Sequence, residues 1–399
     1  HERTLHTDVL FAVVKRSQEQ RASGRRPLKI VVMSATLEAG KFSTYFGNCP
    51  VLYVHGRAHP VTLHYVKDPV DDWLDAAFVT IVQLHMELAL PGDILVFLTG
   101  QDEIEALDKL LSDAMMVRPE NCPPLVTRPL YGALPAEQQM RVFESGAPGT
   151  RKVVLSTNIA ETSLTISGIV AVVDAGFVKQ RTFNARIGTE TLRSEIISQA
   201  QARQRAGRAG RERPGQCYRL YTETHYKKFD VATVPEILRG NMVTVVLQLL
   251  TMGIDDVVGF DYMDPPPADA LEAALSLLYE LEAIDEKLSL TAIGKQLAQF
   301  PLDPCLSRTV LAASELGCTE EVLSVVALLS VENVFYTPAS RRDEADAARR
   351  RFLAPEGDHL TLLRVYSEYQ SVKGSGDWCR KNFVNSRTLR TVVDTRAQL

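Results

Sequence analysis

Between Gln201 and Arg213 five arginines fall at positions 203, 205, 208, 211 and 213, with Gly207 and Gly210 set among them. A guanidinium stays charged at any ordinary pH and grips phosphate oxygens as a fork, so this is the richest stretch of the chain for polyphosphate chemistry. On a helix, Gln204, Arg208 and Arg211 stand at i, i+4 and i+7 and share a face. Arg208 and Arg211 together could clamp a triphosphate, and the glycines would permit close backbone approach. A solvated arginine-rich helix or a patch facing RNA is the bland alternative. It accounts for the arginines but not for the glycine spacing.

Other polar residues stand where apolar runs stop. Residues 28–33 end at Ser34-Ala-Thr36, 94–98 at Thr99-Gly100, 152–155 at Ser156-Thr-Asn158, and 169–173 at Asp174. Short β-branched runs of this kind predict buried parallel strands. Helical periods over 73–90 and 101–117 alternate with them, so the first half predicts an α/β fold around a parallel sheet. Ligands of such sheets sit beyond the carboxyl ends of the strands, where these Ser, Thr, Asn, Gly and Asp residues fall. Residues 176–196 predict a β-hairpin with its turn at Asn184–Gly188.

The character changes after about residue 225. From Gly240 to Glu286 there are ten acidic residues and no Lys or Arg, a composition ill suited to lie on a phosphate backbone. After the stiff Asp264-Pro-Pro-Pro267, residues 268–284 predict an amphipathic helix with Leu271, Ala274, Leu275, Leu278 and Leu281 on one face. From 292 onward the chain predicts helices, with turns at Gly294, Pro301 and Gly317. Arg341, Arg342, Arg349, Arg350 and Arg351 are interleaved with Asp343, Glu344 and Asp346, which favours a solvated helix over an RNA contact.

With 399 residues, 45% hydrophobic and 23% charged, the chain reads as a globular protein of several domains, not a disordered one. Its 44 basic and 49 acidic residues give a net charge of −5, which excludes a globally basic nucleic-acid coat but not a local basic stripe. The six cysteines show no CxxC or zinc spacing and read as reduced thiols. No apolar run reaches the roughly 18 residues of a membrane span, so no membrane partner is expected.

The segment Gln204-Arg-Ala-Gly-Arg-Ala-Gly-Arg211 resembles motif VI of the DEAH-box RNA helicases of superfamily 2. Ser34-Ala-Thr36 looks like their motif III, Phe97-Leu-Thr-Gly-Gln101 like motif IV, and Ser156-Thr-Asn-Ile-Ala-Glu-Thr-Ser-Leu-Thr-Ile166 like motif V. His1-Glu-Arg-Thr4 looks like the end of motif II. Leu290–Gly294, Phe300–Pro304 and Glu356–Leu363 are similar to the winged-helix and ratchet segments of the same family. Asn382–Ser386 is similar to one branch of it.

The resemblance implies a RecA-like P-loop NTPase fold: part of a first RecA-like domain (1–66), a complete second one (67–225), a winged helix (226–290) and a helical ratchet-like domain (291–399). The implied activity is ATP-dependent RNA unwinding or remodelling. Arg208 and Arg211 would reach the γ-phosphate. Gln204 would orient the attacking water or contact His1. Thr157 would approach the ribose and Phe143 would stack on the adenine, an ordinary core position being its alternative. Thr99, Gly100, Ser163 and Thr165 would touch RNA, though Thr99 could equally be a helix cap. Ser34 and Thr36 would couple the two activities, and the hairpin would separate strands. The implied cofactors are ATP, or another nucleoside triphosphate, and Mg2+. The implied partners are RNA and a G-patch-type or other activating protein, for a monomer in the nucleus or nucleolus.

The sequence departs from the family's pattern in having no G-x-x-x-x-G-K-[ST], since Gly294-Lys-Gln296 lacks both the earlier glycine and the hydroxyl residue. The phosphate loop, its lysine and the Mg2+-holding Asp-Glu are expected before His1, in a longer parent helicase, with the chain inactive by itself. The alternative is a catalytically inactive RNA-binding scaffold. Ser167 stands where many members carry an Asp near the ribose.

Overall fold

The computed structural model describes residues 3–22, 26–34, 38–54, 56, 59–120, 122–144, 146–162, 164–331, 333–338 and 341–399. The chain forms two compact units, one of residues 1–241 with 261–267 and one of 242–260 with 268–399.

The first unit is built on eight strands: β1 (Val61–Tyr65), β2 (Asp93–Phe97), β3 (Leu125–Leu130), β4 (Arg151–Ser156), β5 (Ile169–Asp174), β6 (Phe177–Asn184), β7 (Thr189–Ile196) and β8 (Gly215–Arg219). Six make a parallel sheet in the order β1-β8-β5-β2-β4-β3. The apolar runs expected at 94–98, 152–155 and 169–173 are its three central strands, covered on both faces. Three other strands were not legible in the sequence. β1 is a partly exposed edge, β8 buries one apolar side chain, Cys217, and β3 carries Arg128-Pro129, which reads as a break. Proline offers no N–H and so suits the edge position β3 occupies.

The strand expected at 28–33 does not form. Residues 26–34 join no ladder among the described residues, and Val31 and Met33 are 79% and 83% exposed. An apolar run makes burial favourable, but a strand needs a neighbour to satisfy its N–H and C=O groups.

Alternation along the strands sorts the two faces. Ile94, Val96, Val153 and Leu155 pack on one side against helices Trp73–Glu87 and Gln101–Met116 through Ala77, Ile81, Leu84, Ile104, Leu107 and Leu111. Leu95, Phe97, Val154 and Val172 pack on the other, against Val142, Ala160, Ala206 and Ala209. Each buried Val, Leu, Ile or Phe here contributes about 1.5–3 kcal/mol of transfer free energy. The arginine-bearing segment meets the second face through Ala206 and Ala209. β6 and β7 form the expected antiparallel hairpin, closed at 185–188 with Gly188 at φ +63°.

The second unit is helical: Val243–Thr251, Ala268–Glu280, Ala292–Leu297, Pro304–Leu316, Thr319–Leu329, Arg342–Arg350, Asp358–Ser371, Gly376–Lys381 and Ser386–Gln398. The amphipathic helix after the prolines buries Leu271, Ala274 and Leu278 as expected, but it stops at Glu280, before Leu281. Gly317 closes Pro304–Leu316 in the left-handed conformation at φ +72°. The arginines at 341, 342, 349, 350 and 351 are all exposed. The first of them pairs locally with Glu344.

Gly294 is not a turn. It sits inside the short helix Ala292–Leu297, capped by Thr291, whose hydroxyl accepts from the Gly294 amide at 3.0 Å. A Cβ there would lie 2.1 Å from the Ala283 carbonyl oxygen and 2.7 Å from Leu290 Cδ1. Gly294→Ala should therefore destabilise the second unit by about 1–3 kcal/mol. Denaturant unfolding of the variant checks this, and an unchanged midpoint would contradict the close approach.

Candidate functional site

Helix Gln199–Gly207 starts at a reciprocal cap. The Ser198 hydroxyl accepts from the Gln201 amide at 3.2 Å, and the Gln201 side chain accepts from the Ser198 amide at 3.0 Å. The helix expected to run through Arg211 ends at Gly207 and tightens into a 3-10 turn over Arg208–Gly210. The glycine rationale changes with it. A Cβ on Gly210 would meet the His59 carbonyl oxygen at 2.5 Å, so this glycine lets the turn press against the chain leading into β1.

The five arginines take different fates. Arg205 is fully buried: Nε donates to Glu161 Oε2 at 3.0 Å, one terminal nitrogen to Asp174 Oδ1 at 2.8 Å, the other to the Phe177 carbonyl at 3.2 Å. Its guanidinium lies 4.9 Å from the centre of the Phe97 ring. Burial pulls its pKa down, but Asp174 and Glu161 outweigh that and hold it above its ordinary value. Asp174 also accepts from Tyr221 Oη at 2.9 Å and the Gly176 amide at 3.0 Å. Sequence reading missed this residue. The signal was present in two carboxylates, Glu161 and Asp174, standing in apolar surroundings that demand a cation. Arg203 reaches Tyr226 Oη at 3.4 Å, and Arg213 donates to the Pro91 carbonyl.

Arg208 and Arg211 remain. Arg208 is 9% exposed and spends one terminal nitrogen on the Leu164 carbonyl at 3.1 Å, while its buried Nε has no partner among the described residues. Burial, and then the charge of neighbouring Arg211, hold its pKa below the ordinary value, with Glu161 opposing. Arg211 is exposed. Among the described residues neither forms an ion pair. Two adjacent guanidinium groups without an ion pair among the described residues, one of them buried with an orphaned N–H, fit a multivalent oxyanion such as a triphosphate.

Thr157, Thr99 and Gly100 lie at the carboxyl edge of the sheet. Thr157 follows β4, half-buried, with its amide on the Leu130 carbonyl at 3.2 Å. Thr99 is buried beyond β2 and its amide donates to Glu103 Oε2 at 3.0 Å, so the residue that caps the following helix is Gly100. Gly100 is buried too, with the Lys179 amine where its Cβ would stand. Thr165 and Ser34 are exposed. Phe143 is 40% exposed at the end of the 3-10 turn Arg141–Phe143, which excludes an ordinary core position. His1, Thr36 and Ser163 lie outside the described residues.

Gln204 lines a cavity of about 570 Å³ together with Arg3, Asn158, Glu161, Lys179, Arg181 and Arg239. Among the described residues Arg208, Arg211, Thr157 and Phe143 are not part of that lining, although Glu161, which is, acts electrostatically on Arg208. Among the described residues no helix is long and apolar enough to cross a membrane.

Comparison with known proteins converges on one group. Residues 76–213 match the helicase conserved C-terminal domain, 274–302 the winged-helix part of the helicase-associated domain, and 303–362 its ratchet-like part. The whole chain is 51% identical to mouse ATP-dependent RNA helicase DHX33 and 50% identical to the human protein. It is 48% identical to the Schizosaccharomyces pombe pre-mRNA-splicing factor ATP-dependent RNA helicase prp22. The chain spans 58%, 57% and 34% of those proteins respectively. An α/β sheet of RecA type followed by winged-helix and ratchet-like segments, full-length identity near one half to these three proteins, and the Gln204–Arg211 signature agree: the chain belongs to the DEAH-box RNA helicase family.

Proposed function

We propose that this chain supplies one wall of a nucleoside-triphosphate site and part of an RNA track in an ATP-dependent RNA helicase. The observation that carries the reading is the Arg208–Arg211 pair, held against the sheet by Ala206 and Ala209 and forming no ion pair among the described residues. Arg205, the other buried basic side chain of that segment, is already satisfied by protein.

The two guanidinium groups would bind terminal phosphate oxygens, Thr157 would face the ribose, and Phe143 would offer its exposed ring to the base. Mg2+ would neutralise phosphate charge, held mainly by residues outside this chain. Thr165, with the backbone at Thr99 and Gly100, would contact RNA phosphate and sugar, which suits a motor indifferent to base sequence. Nuclear or nucleolar residence, a part in ribosome biogenesis and a G-patch-type activator belong to the same reading on family resemblance.

The test is nucleotide hydrolysis by the full-length gene product with single-stranded RNA or DNA of one sequence. RNA should stimulate turnover at least about tenfold more than DNA, because a protein tells the two apart through the 2′-hydroxyl. Equal stimulation would overturn the RNA assignment, and absence of any hydrolysis would overturn the enzyme.

A further inference from the structure

Lys152 is the second residue of β4 and is 4% exposed, an unusual place for an ammonium group. Its Nζ donates to the Val142 carbonyl at 2.9 Å and to the Glu144 carbonyl at 3.2 Å. These are the two carbonyls on either side of Phe143. Asp93 stands 3.7 Å from the same nitrogen, and its other carboxylate oxygen accepts from the Lys152 amide at 3.0 Å. Burial raises the pKa of Asp93, while the Lys152 contacts pull against that.

The turn that carries Phe143 continues from the short helix Ala136–Met140 through the Arg141 amide, which bonds the Gln138 and Gln139 carbonyls. Beyond it, closure rests on the Glu144 amide bonding the Arg141 carbonyl at 3.3 Å, and among the described residues Val142 is the side chain it places in the sheet-face core. A 3-10 turn of three residues is a weak element. The buried ammonium therefore ties both shoulders of the aromatic residue to the sheet.

We propose that Lys152 is a positioning residue for nucleotide binding: the ammonium, braced by Asp93, fixes the turn so that the Phe143 ring is presented to the base. The inference rests on the nucleotide reading given above and names how one contact of that site is set. A lysine does this where an apolar residue would not, because two buried carbonyls on successive shoulders need donors that converge on one point. Lys152 touches neither phosphate nor base, so its effect is confined to the ring it orients.

The experiment measures dissociation constants for ATP and for inorganic tripolyphosphate in the full-length gene product and in Phe143→Ala, Lys152→Met and the double variant. Base–aromatic stacking is lost in Phe143→Ala, so its ATP affinity should fall about tenfold while tripolyphosphate affinity is unchanged. Lys152→Met should weaken ATP by about three- to tenfold, spare tripolyphosphate, and add nothing to Phe143→Ala in the double variant. Lys152→Gln, which keeps a donor for one carbonyl, should fall between wild type and Lys152→Met, and decides the matter if Lys152→Met does not fold. Two results overturn the positioning role alone: normal ATP affinity without Lys152 while Phe143→Ala is impaired, or equal loss of both ligands. If Phe143→Ala binds ATP normally, the base platform itself is wrong and the role of Lys152 falls with it, while the arginine pair is untouched.

Discussion

Arg211→Ala in the full-length gene product should lower nucleotide turnover by roughly 10³-fold or more while RNA affinity changes little. An arginine placed against a transferring phosphoryl group stabilises charge that builds up only in the transition state, and removing it costs on the order of 10³ to 10⁵ in rate. Arg211 suits that role because it is exposed and next to Arg208, which is buried. Its exposure also means that truncation should leave stability within about 0.5 kcal/mol, so a rate loss is not an unfolding loss. Steady-state hydrolysis with saturating RNA checks the first part and RNA titration the second. Turnover within about threefold of wild type would show that this arginine faces no reacting phosphate.

Arg205→Met should do the opposite kind of damage. It leaves Asp174 and Glu161 buried without their shared cation, and breaking a buried ion pair from one side costs about 3–5 kcal/mol. Asp174 would keep Tyr221 Oη and the Gly176 amide, whereas Glu161 loses the Nε donor at 3.0 Å. Urea unfolding followed by circular dichroism checks the magnitude, with Arg203→Met, an exposed neighbour on the same helix, expected within about 0.5 kcal/mol of wild type. A loss below about 1 kcal/mol would mean that the three charges are not coupled as the distances indicate. The two arginines thus separate by experiment: one change removes rate and spares the fold, the other removes the fold.

This division marks where sequence reading reached and where it stopped. The motif Gln204–Arg211 identified the segment and singled out Arg208 and Arg211, neither of which forms an ion pair among the described residues. It did not distinguish Arg205, because five arginines in a row of small residues look alike until one knows which face meets Asp174. Phe143 was assigned by resemblance alone, with core burial as the rival. Its 40% exposure removes the rival, and the role of Lys152 behind it had no signature in the sequence.

By itself the sequence determined the central parallel strands, the helices between them, the hairpin and the helical second half, because these rest on local periodicity and on glycine and proline chemistry that neighbours along the chain carry. Tertiary structure alone decided what depends on partners far apart in sequence. It left 28–33 without a strand to pair with, and it made strands of 61–65, 125–130 and 215–219, whose apolar pattern is weak. It put Gly294 inside a helix, where a carbonyl 11 residues earlier leaves no room for a Cβ. It also set Arg205 between two buried carboxylates, while Arg208 is buried without an ion pair among the described residues and Arg211 is exposed, a sorting that depends on which groups packing brings together.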